Sequence, residues 1–271
     1  MIKLSSLKAP AIAGVIREED AQSAIAEIKN CLLSGADMID IHLSCLNDTS
    51  VPTLKAIFNS TKLPILALNY DKKCNWQDAG YTEETRTESF LRAVEAGAAG
   101  VDMQGYTFDL ASKLEFCGED KYSFTKNNPR EIVTDERIIE KQIKFIEKVH
   151  EMGAEVLLSC HPNIPMNCEQ VVDLALFLQE RKPDIIKIVT IANTDEELVE
   201  SIKTMIELKK RVKTPISYHA AGVKGRLSRV INPALGGQIA FCVDRYSNTS
   251  TMEQLQISSV KKVVEELNKI I

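Results

Sequence analysis

Lys187 stands in the middle of an otherwise apolar run, Asp184-Ile185-Ile186-Lys187-Ile188-Val189-Thr190. Pro183 precedes the run and Asn193-Thr194-Asp195 follows it, so the segment reads as a strand buried on both faces. Its lysine then points into a core, where an ammonium is costly unless it is paired or gives up its proton. Such a residue is either a structural cation with a hidden carboxylate partner or an amine kept for chemistry. His161 is a second reactive group, placed directly after the apolar run Glu155-Val156-Leu157-Leu158-Ser159-Cys160. A lysine that reaches the neutral amine attacks a ketone, and the resulting iminium makes an adjacent C–H bond acidic. A histidine, which titrates near neutrality, takes that proton and returns one to a departing hydroxyl.

The elements that must position these groups follow from periodicity. Short apolar runs at 11–16, 38–43, 64–69, 100–104, 155–160, 184–190, 215–219 and 237–243 read as strands. Amphipathic stretches at 18–33, 51–59, 82–95, 134–152, 195–212 and 253–271, and one through Val171, Val172, Leu174 and Leu178, read as helices. Eight such β units predict a (β/α)8 barrel occupying residues 1–271 as one α/β domain, with a doubly wound open sheet as the alternative. No Gly-x-Gly-x-x-Gly joins a strand to a helix, which weakens that alternative as a nucleotide binder. The connection at about 105–134 exceeds an ordinary loop and is expected to be a lid or binding segment. In a barrel the chemistry gathers at the C-terminal strand ends. Those ends carry Asp40, His42, residues 69–71, Asp102, Gln104, His161, Lys187, His219 and the stretch Gly225-Arg226-Leu227-Ser228-Arg229.

Composition narrows the partners. A hydrophobic fraction of 44% and a charged fraction of 26% are ordinary for a water-soluble globular chain. A net charge of −5 offers no field for nucleic acid or anionic lipid. The chain opens without a long apolar leader and holds no apolar stretch able to span a bilayer, so a cytoplasmic protein with a small-molecule partner is expected. The seven cysteines form no CxxC pair and read as reduced thiols, with no metal site expected from them.

Ser159-Cys160-His161, then Asp184-Ile185-Ile186-Lys187-Ile188, then Gly222-x-x-Gly225-x-x-Ser228-Arg229 and Gly236-Gly237 resemble type I 3-dehydroquinate dehydratases in motif order and spacing. The resemblance covers roughly residue 36 to the C-terminus. It implies a Schiff-base lyase on a (β/α)8 barrel, without metal or organic cofactor, acting on a carboxylate substrate and assembled as a homodimer. By the same resemblance Lys187 is the imine-forming lysine, His161 the proton shuttle and Arg229 the holder of the substrate carboxylate. Ser250 and Gln254 correspond to a serine and a glutamine that close over that carboxylate, across an insertion near 246–249.

Departures are as informative. The family's Glu-x-Arg appears as Asp40-Ile41-His42, an arginine after the third strand appears as Tyr70, and Gln104 stands where glutamate is usual. The glutamate that partners the family's histidine falls at Cys74-Asn75-Trp76 and is absent. Asp40, His42 and Tyr70 are therefore expected to contact substrate in place of the family's hydroxyl-recognising groups. Dehydration of 3-dehydroquinate to 3-dehydroshikimate is the leading expectation. The same chemistry on another keto acid, a class I aldolase, and a non-catalytic binding protein with Lys187 paired to Asp40 or Asp102 remain open. Bland readings compete at single residues: His219 as a satisfied core histidine, Ser228 as a helix N-cap, and His150 as an exposed helix end.

Overall fold

The computed structural model describes residues 2–70, 82–108, 132–162, 164–247, 250, 253–267 and 269. The expected features at Asp71, at Cys74-Asn75-Trp76 and over most of the 105–134 connection lie outside these residues. Along the described chain, β1 (Ala11–Ile16), α1 (Ala21–Leu33), β2 (Met38–His42), α2 (Val51–Phe58), β3 (Ile65–Leu68), α3 (Glu83–Ala96) and β4 (Gly100–Gln104) come first. They are followed by α4 (Glu136–Glu151), β5 (Glu155–Cys160), α5 (Cys168–Gln179), β6 (Ile185–Ile191), α6 (Asp195–Arg211), β7 (Ile216–Ala221), α7 (Ser228–Ala234) and β8 (Ile239–Val243). The last two elements are β9 (Leu255–Gln256) and α8 (Ile257–Leu267).

All strand pairings are parallel, in the order β7-β6-β5-β4-β3-β2-β1-β8-β9. The two ends of this curled sheet meet. The Gln238 N–H donates to the Ile216 carbonyl at 2.7 Å and the Ser217 hydroxyl donates to the Ile239 carbonyl at 2.7 Å, joining β7 to β8 at the lower end of the barrel. Above that level β9 runs beside β8, with Leu255 opposite Cys242 and Gln256 opposite Val243. The sequence reads 253–271 as a single helix, whereas its first residues form this strand: Leu255 and Gln256 take up the sheet edge that β8 presents near the mouth.

The helix boundaries have local causes. Asp20 accepts from the Gln22 and Ser23 N–H groups and so starts α1 later than its apolar period suggests. Thr82, Asn167 and Thr194 form capping boxes before α3, α5 and α6. Ser228 is no N-cap; it is the first residue of α7, and its hydroxyl donates to the Gly225 carbonyl while accepting from the Ala220 N–H. It ties the loop to β7. His150 ends α4 beside Asp184, with Nε2 at 2.7 Å from the carboxylate.

Strand side chains alternate, so each β-strand serves two cores. Ile186, Ile188, Val156 and Leu158 face the helices. Ala11, Ala13, Met38, Leu66, Leu157, Ile185 and Ile239 fill the lower barrel, together with Leu4 from the short turn at Leu4–Ser6. That turn is held by Glu155, which accepts from the Ser5 N–H at 2.9 Å and hydroxyl at 2.6 Å, and by Gln238, which donates to the Leu7 carbonyl at 3.0 Å. The barrel is thus, among the described residues, plugged from below and open above. Among the described residues, no helix is long and apolar enough to cross a membrane.

Gly100 is where this plug leaves no space: a Cβ there would stand 2.7 Å from Leu4 Cδ1 and 2.8 Å from the Glu155 carbonyl oxygen. Overpacking of this kind costs about 1–3 kcal/mol. Gly100→Ala should lower the unfolding free energy by about 2 kcal/mol, measured by urea denaturation.

Candidate active site

Lys187 is the middle inward residue of β6, between Ile185 and Val189, and only 7% of its side chain is exposed. Its Nζ lies 3.2 Å from Asp102 Oδ2 on β4 and 4.2 Å above the centroid of the Phe241 ring on β8. Of the two carboxylates open as partners in the sequence, Asp102 is the one engaged. Its other oxygen accepts the Ser159 hydroxyl at 2.5 Å. Burial pushes the Asp102 carboxyl up from its ordinary pKa, and the adjacent Lys187 charge pulls the other way. Asp102 can therefore hold a proton more readily than an exposed aspartate.

Gln104 sets the next layer. Its amide donates to the Asp102 carbonyl at 2.7 Å, and its oxygen accepts from Arg86. Arg86, fully buried on α3, forms two bonds to Glu83 at 2.8 and 2.9 Å and donates to the Asn69 carbonyl and the Thr107 hydroxyl. The guanidinium thereby fixes which end of the Gln104 amide faces Asp102.

A cavity of about 230 Å³ opens above Lys187, lined among others by Arg17, Asp40, His42, Tyr70, His161, His219, Arg229, Glu253 and Gln254. That is below the range of drug-sized pockets, about 300–1,000 Å³, and suits a small metabolite. His161 lies in its wall, with Tyr70 between His161 and His42 at ring separations of 6.0 and 5.9 Å. Desolvation lowers the pKa of all three cavity histidines. His161 is further lowered by Lys187 and Arg229, His219 by Arg229 and Lys187, and His42 is taken down to about 4, with Arg17 adding to the effect. At neutral pH they are neutral imidazoles, able to accept a proton. His42 Nε2 is 3.7 Å from Asp40 Oδ2, too long for a good hydrogen bond.

Arg229 on α7 reaches back to the cavity and meets Glu253 at 3.2 Å. Three polar atoms in these walls, Asp40 Oδ1, Arg229 Nε and Gln254 Oε1, are buried without a hydrogen-bond partner among the described residues. One donor and two acceptors therefore await a ligand with complementary groups. Ser250 does not line this cavity; it borders a smaller neighbouring one with Arg17, Glu18, Glu27, Arg245 and Gln254, and its hydroxyl accepts from the Ser247 N–H at 3.0 Å.

The structure thus gathers Lys187, His161, Arg229, Gln254, Asp40, His42 and Tyr70 in one cavity and leaves Ser250 beside it. His219 lines the cavity and its ring bonds to none of the described residues, unlike a satisfied core histidine. Arg17 and Glu253 escape the sequence reading. Arg17 directly follows the apolar run of β1, so the rule of polar strand ends could have found it, whereas Glu253 carries no local signal. Among the described residues, no group of three His, Cys, Asp or Glu side chains could hold a metal ion.

The fold is thus a parallel barrel with a carboxylate-backed lysine and a neutral histidine at its C-terminal mouth, where enzymes of this fold carry their active sites. The chain belongs to the type I 3-dehydroquinase family, whose profile matches residues 121–270, more than half of its length. It is similar to a 3-dehydroquinate dehydratase of Methanosarcina acetivorans, with 26% identity over 96% of either chain. Its fold is that of the 3-dehydroquinate dehydratase of Geobacillus kaustophilus, with a TM-score of 0.77 at 16% identity over 99% of this chain and 96% of the other. It is likewise similar to the type I enzyme of Clostridium difficile with covalently modified comenic acid, with a TM-score of 0.76 at 15% identity over 97% and 94% of the two chains.

The buried neutral histidines tie stability to pH. Between their native and unfolded pKa values the unfolded chain binds more protons, so stability is complete above about pH 6.5 and falls as the pH drops toward 4. His42 alone contributes about 3 kcal/mol over that window; His161 and His219 act in the same direction, and the raised Asp102 opposes them. Urea unfolding at pH 7 and pH 4.5 should show this loss, and His42→Asn should remove about 2–3 kcal/mol of it.

Proposed function

We propose that this chain is a hydro-lyase that joins Lys187 to a cyclic keto acid as an imine and expels water, with 3-dehydroquinate as substrate and 3-dehydroshikimate as product. The observation that carries the reading is the convergence of a carboxylate-backed lysine, a neutral histidine and a buried arginine on one small cavity. The names of the relatives support the choice of substrate.

Lys187 must lose a proton before it can attack. Asp102, 3.2 Å away with its pKa raised by burial, is placed to receive it, converting a buried ion pair into a neutral pair that costs less in low dielectric. The amine adds to the ketone carbon, and loss of the carbonyl oxygen as water leaves a protonated imine. His161 then removes a proton from the neighbouring carbon, the C–H electrons moving into the C–N system to give an enamine. The enamine pushes out the hydroxyl on the next carbon as His161 returns the proton, so that water leaves and a C=C bond remains. Hydrolysis of the imine frees the product and restores Lys187. No cofactor is required, because the protonated imine is itself the electron sink.

Arg229 offers the substrate carboxylate a guanidinium edge. Asp40 supplies an acceptor for substrate hydroxyls, and Gln254, with Ser250 from the neighbouring cavity, is placed to close over the carboxylate. His42 and Tyr70 border the same cavity, so neutral groups stand at the two positions where the family has arginines, with Arg17 as a cation nearby. That difference favours, as a second reading, the same elimination on a differently hydroxylated keto acid.

Borohydride reduction during turnover, followed by intact-mass and peptide analysis, tests the reading. The expected result is an adduct on Lys187 whose mass corresponds to 3-dehydroquinate or its dehydrated product. Lys187→Ala should form no adduct. His161→Ala should still form one while kcat falls by about 10²–10⁴, the usual contribution of a positioned acid–base. Turnover by Lys187→Ala at the native rate would remove the mechanism. An adduct with another keto acid alone would transfer the chemistry to that substrate.

A further inference from the structure

Glu253 occupies the place where the proposed substrate carboxylate must bind. Its Oε2 is 3.2 Å from Arg229 Nη2, and its Oε1 accepts the Gly222 N–H at 3.0 Å. Gly222 sits in the left-handed region at φ +87°, and a Cβ there would stand 2.6 Å from Asn193 Oδ1 and 2.8 Å from the Ala192 carbonyl oxygen, so this turn presents its N–H only as glycine. Among the described residues, Arg229 is engaged through Nη2 alone, with its Nε buried and unpartnered. A carboxylate bridging Nε and Nη2 would satisfy both donors, but one of the two is already held by Glu253.

Charge and exposure decide which group yields. Among the described residues, Arg17, Lys187 and Arg229 bring three positive charges to the cavity, and Asp40, Asp102 and Glu253 bring three carboxylates. A carboxylate substrate entering that set adds an uncompensated negative charge, unless one resident anion leaves. Asp40 is 2% exposed and the Asp102 side chain 0%, so neither can reach water. The Glu253 side chain is 40% exposed. Only Glu253 can turn outward without stranding a buried charge.

We infer that Glu253 is an internal competitor at the carboxylate subsite: it holds Arg229 in the empty enzyme, and a ligand carboxylate must displace it, so this residue sets the affinity for the acid. The inference rests on the function proposed above and adds a specificity-determining residue to it. A ligand whose carboxylate is masked cannot make the exchange and gains nothing from Glu253 being removed. A charged partner on Arg229 forms a bond roughly twice as strong as a neutral one, so an amide at position 253 competes far less while keeping the bond to Gly222.

The test compares 3-dehydroquinate with its methyl ester by borohydride trapping on Lys187, in the wild-type chain and in Glu253→Gln. The variant should lower the half-saturating concentration for the acid about five- to tenfold relative to that for the ester, one decade being about 1.4 kcal/mol. An unchanged ratio, or one that moves toward the ester, overturns the inference while an adduct on Lys187 still upholds the imine chemistry. If neither ketone is trapped, the proposed function fails, and calorimetry with quinate, which needs no imine, decides separately for Glu253. Tighter quinate binding by Glu253→Gln upholds the competitor, whereas equal, weaker or absent binding overturns it.

Discussion

The rest of the structure depends on how one ammonium is kept inside a parallel barrel. Lys187 points inward from β6 with 7% of its side chain exposed, and its stabilisation comes from Asp102, 85 residues earlier, and from the face of Phe241. Desolvating two charges is repaid only when their remaining hydrogen-bonding capacity is used. Asp102 meets that condition through Ser159, with Gln104 and Arg86 behind it. The arrangement is also poised. The burial that makes the ion pair expensive raises the Asp102 pKa, which is what the proposed transfer of the lysine proton to Asp102 draws on.

The two-residue period of the strands gives the barrel its division of labour. Ile185 lies one inward step below Lys187 and belongs to the apolar filling closed off by Leu4, while Val189 lies one step above and borders the cavity. On β2 the same spacing places Met38 in the filling and Asp40 and His42 in the cavity wall. Stability is supplied below and chemistry above, with no loop needed to separate them. Among the described residues, the lysine faces the cavity on one side and apolar filling on the other.

Much of this was legible in the sequence, because period, strand ends and a lysine in an apolar run are local signals. Lys187, His161, Asp40 and His42 fall where alternation on a barrel strand requires. What escaped is what depends on pairing across the barrel. Asp40 on β2 and Asp102 on β4 are both inward carboxylates, with β3 between their strands, and only the three-dimensional stagger chooses between them. Glu253 lies in a segment whose apolar pattern continues into a helix, yet β8 recruits the adjoining residues as a strand and thereby brings the glutamate to Arg229. Ser228 has the composition of a cap, but its hydroxyl is taken by β7 and the preceding turn.

The altered rim has a consistent electrostatic logic. Where the resemblance places an arginine on the second strand, this chain has His42, and burial with Arg17 nearby keeps it neutral at physiological pH. A neutral imidazole adds no positive charge beside His161, the base of the proposed reaction, whose pKa Lys187 and Arg229 already lower. One more fixed cation would favour the neutral form of His161 further, making it a weaker base toward the acidic C–H bond. An imidazole can also donate or accept according to its tautomer, which a guanidinium cannot. The exchange replaces a fixed cation by a wall whose hydrogen-bonding polarity adjusts to the ligand, while Arg17 and Arg229 stay as cations of the cavity, Arg229 beside Glu253.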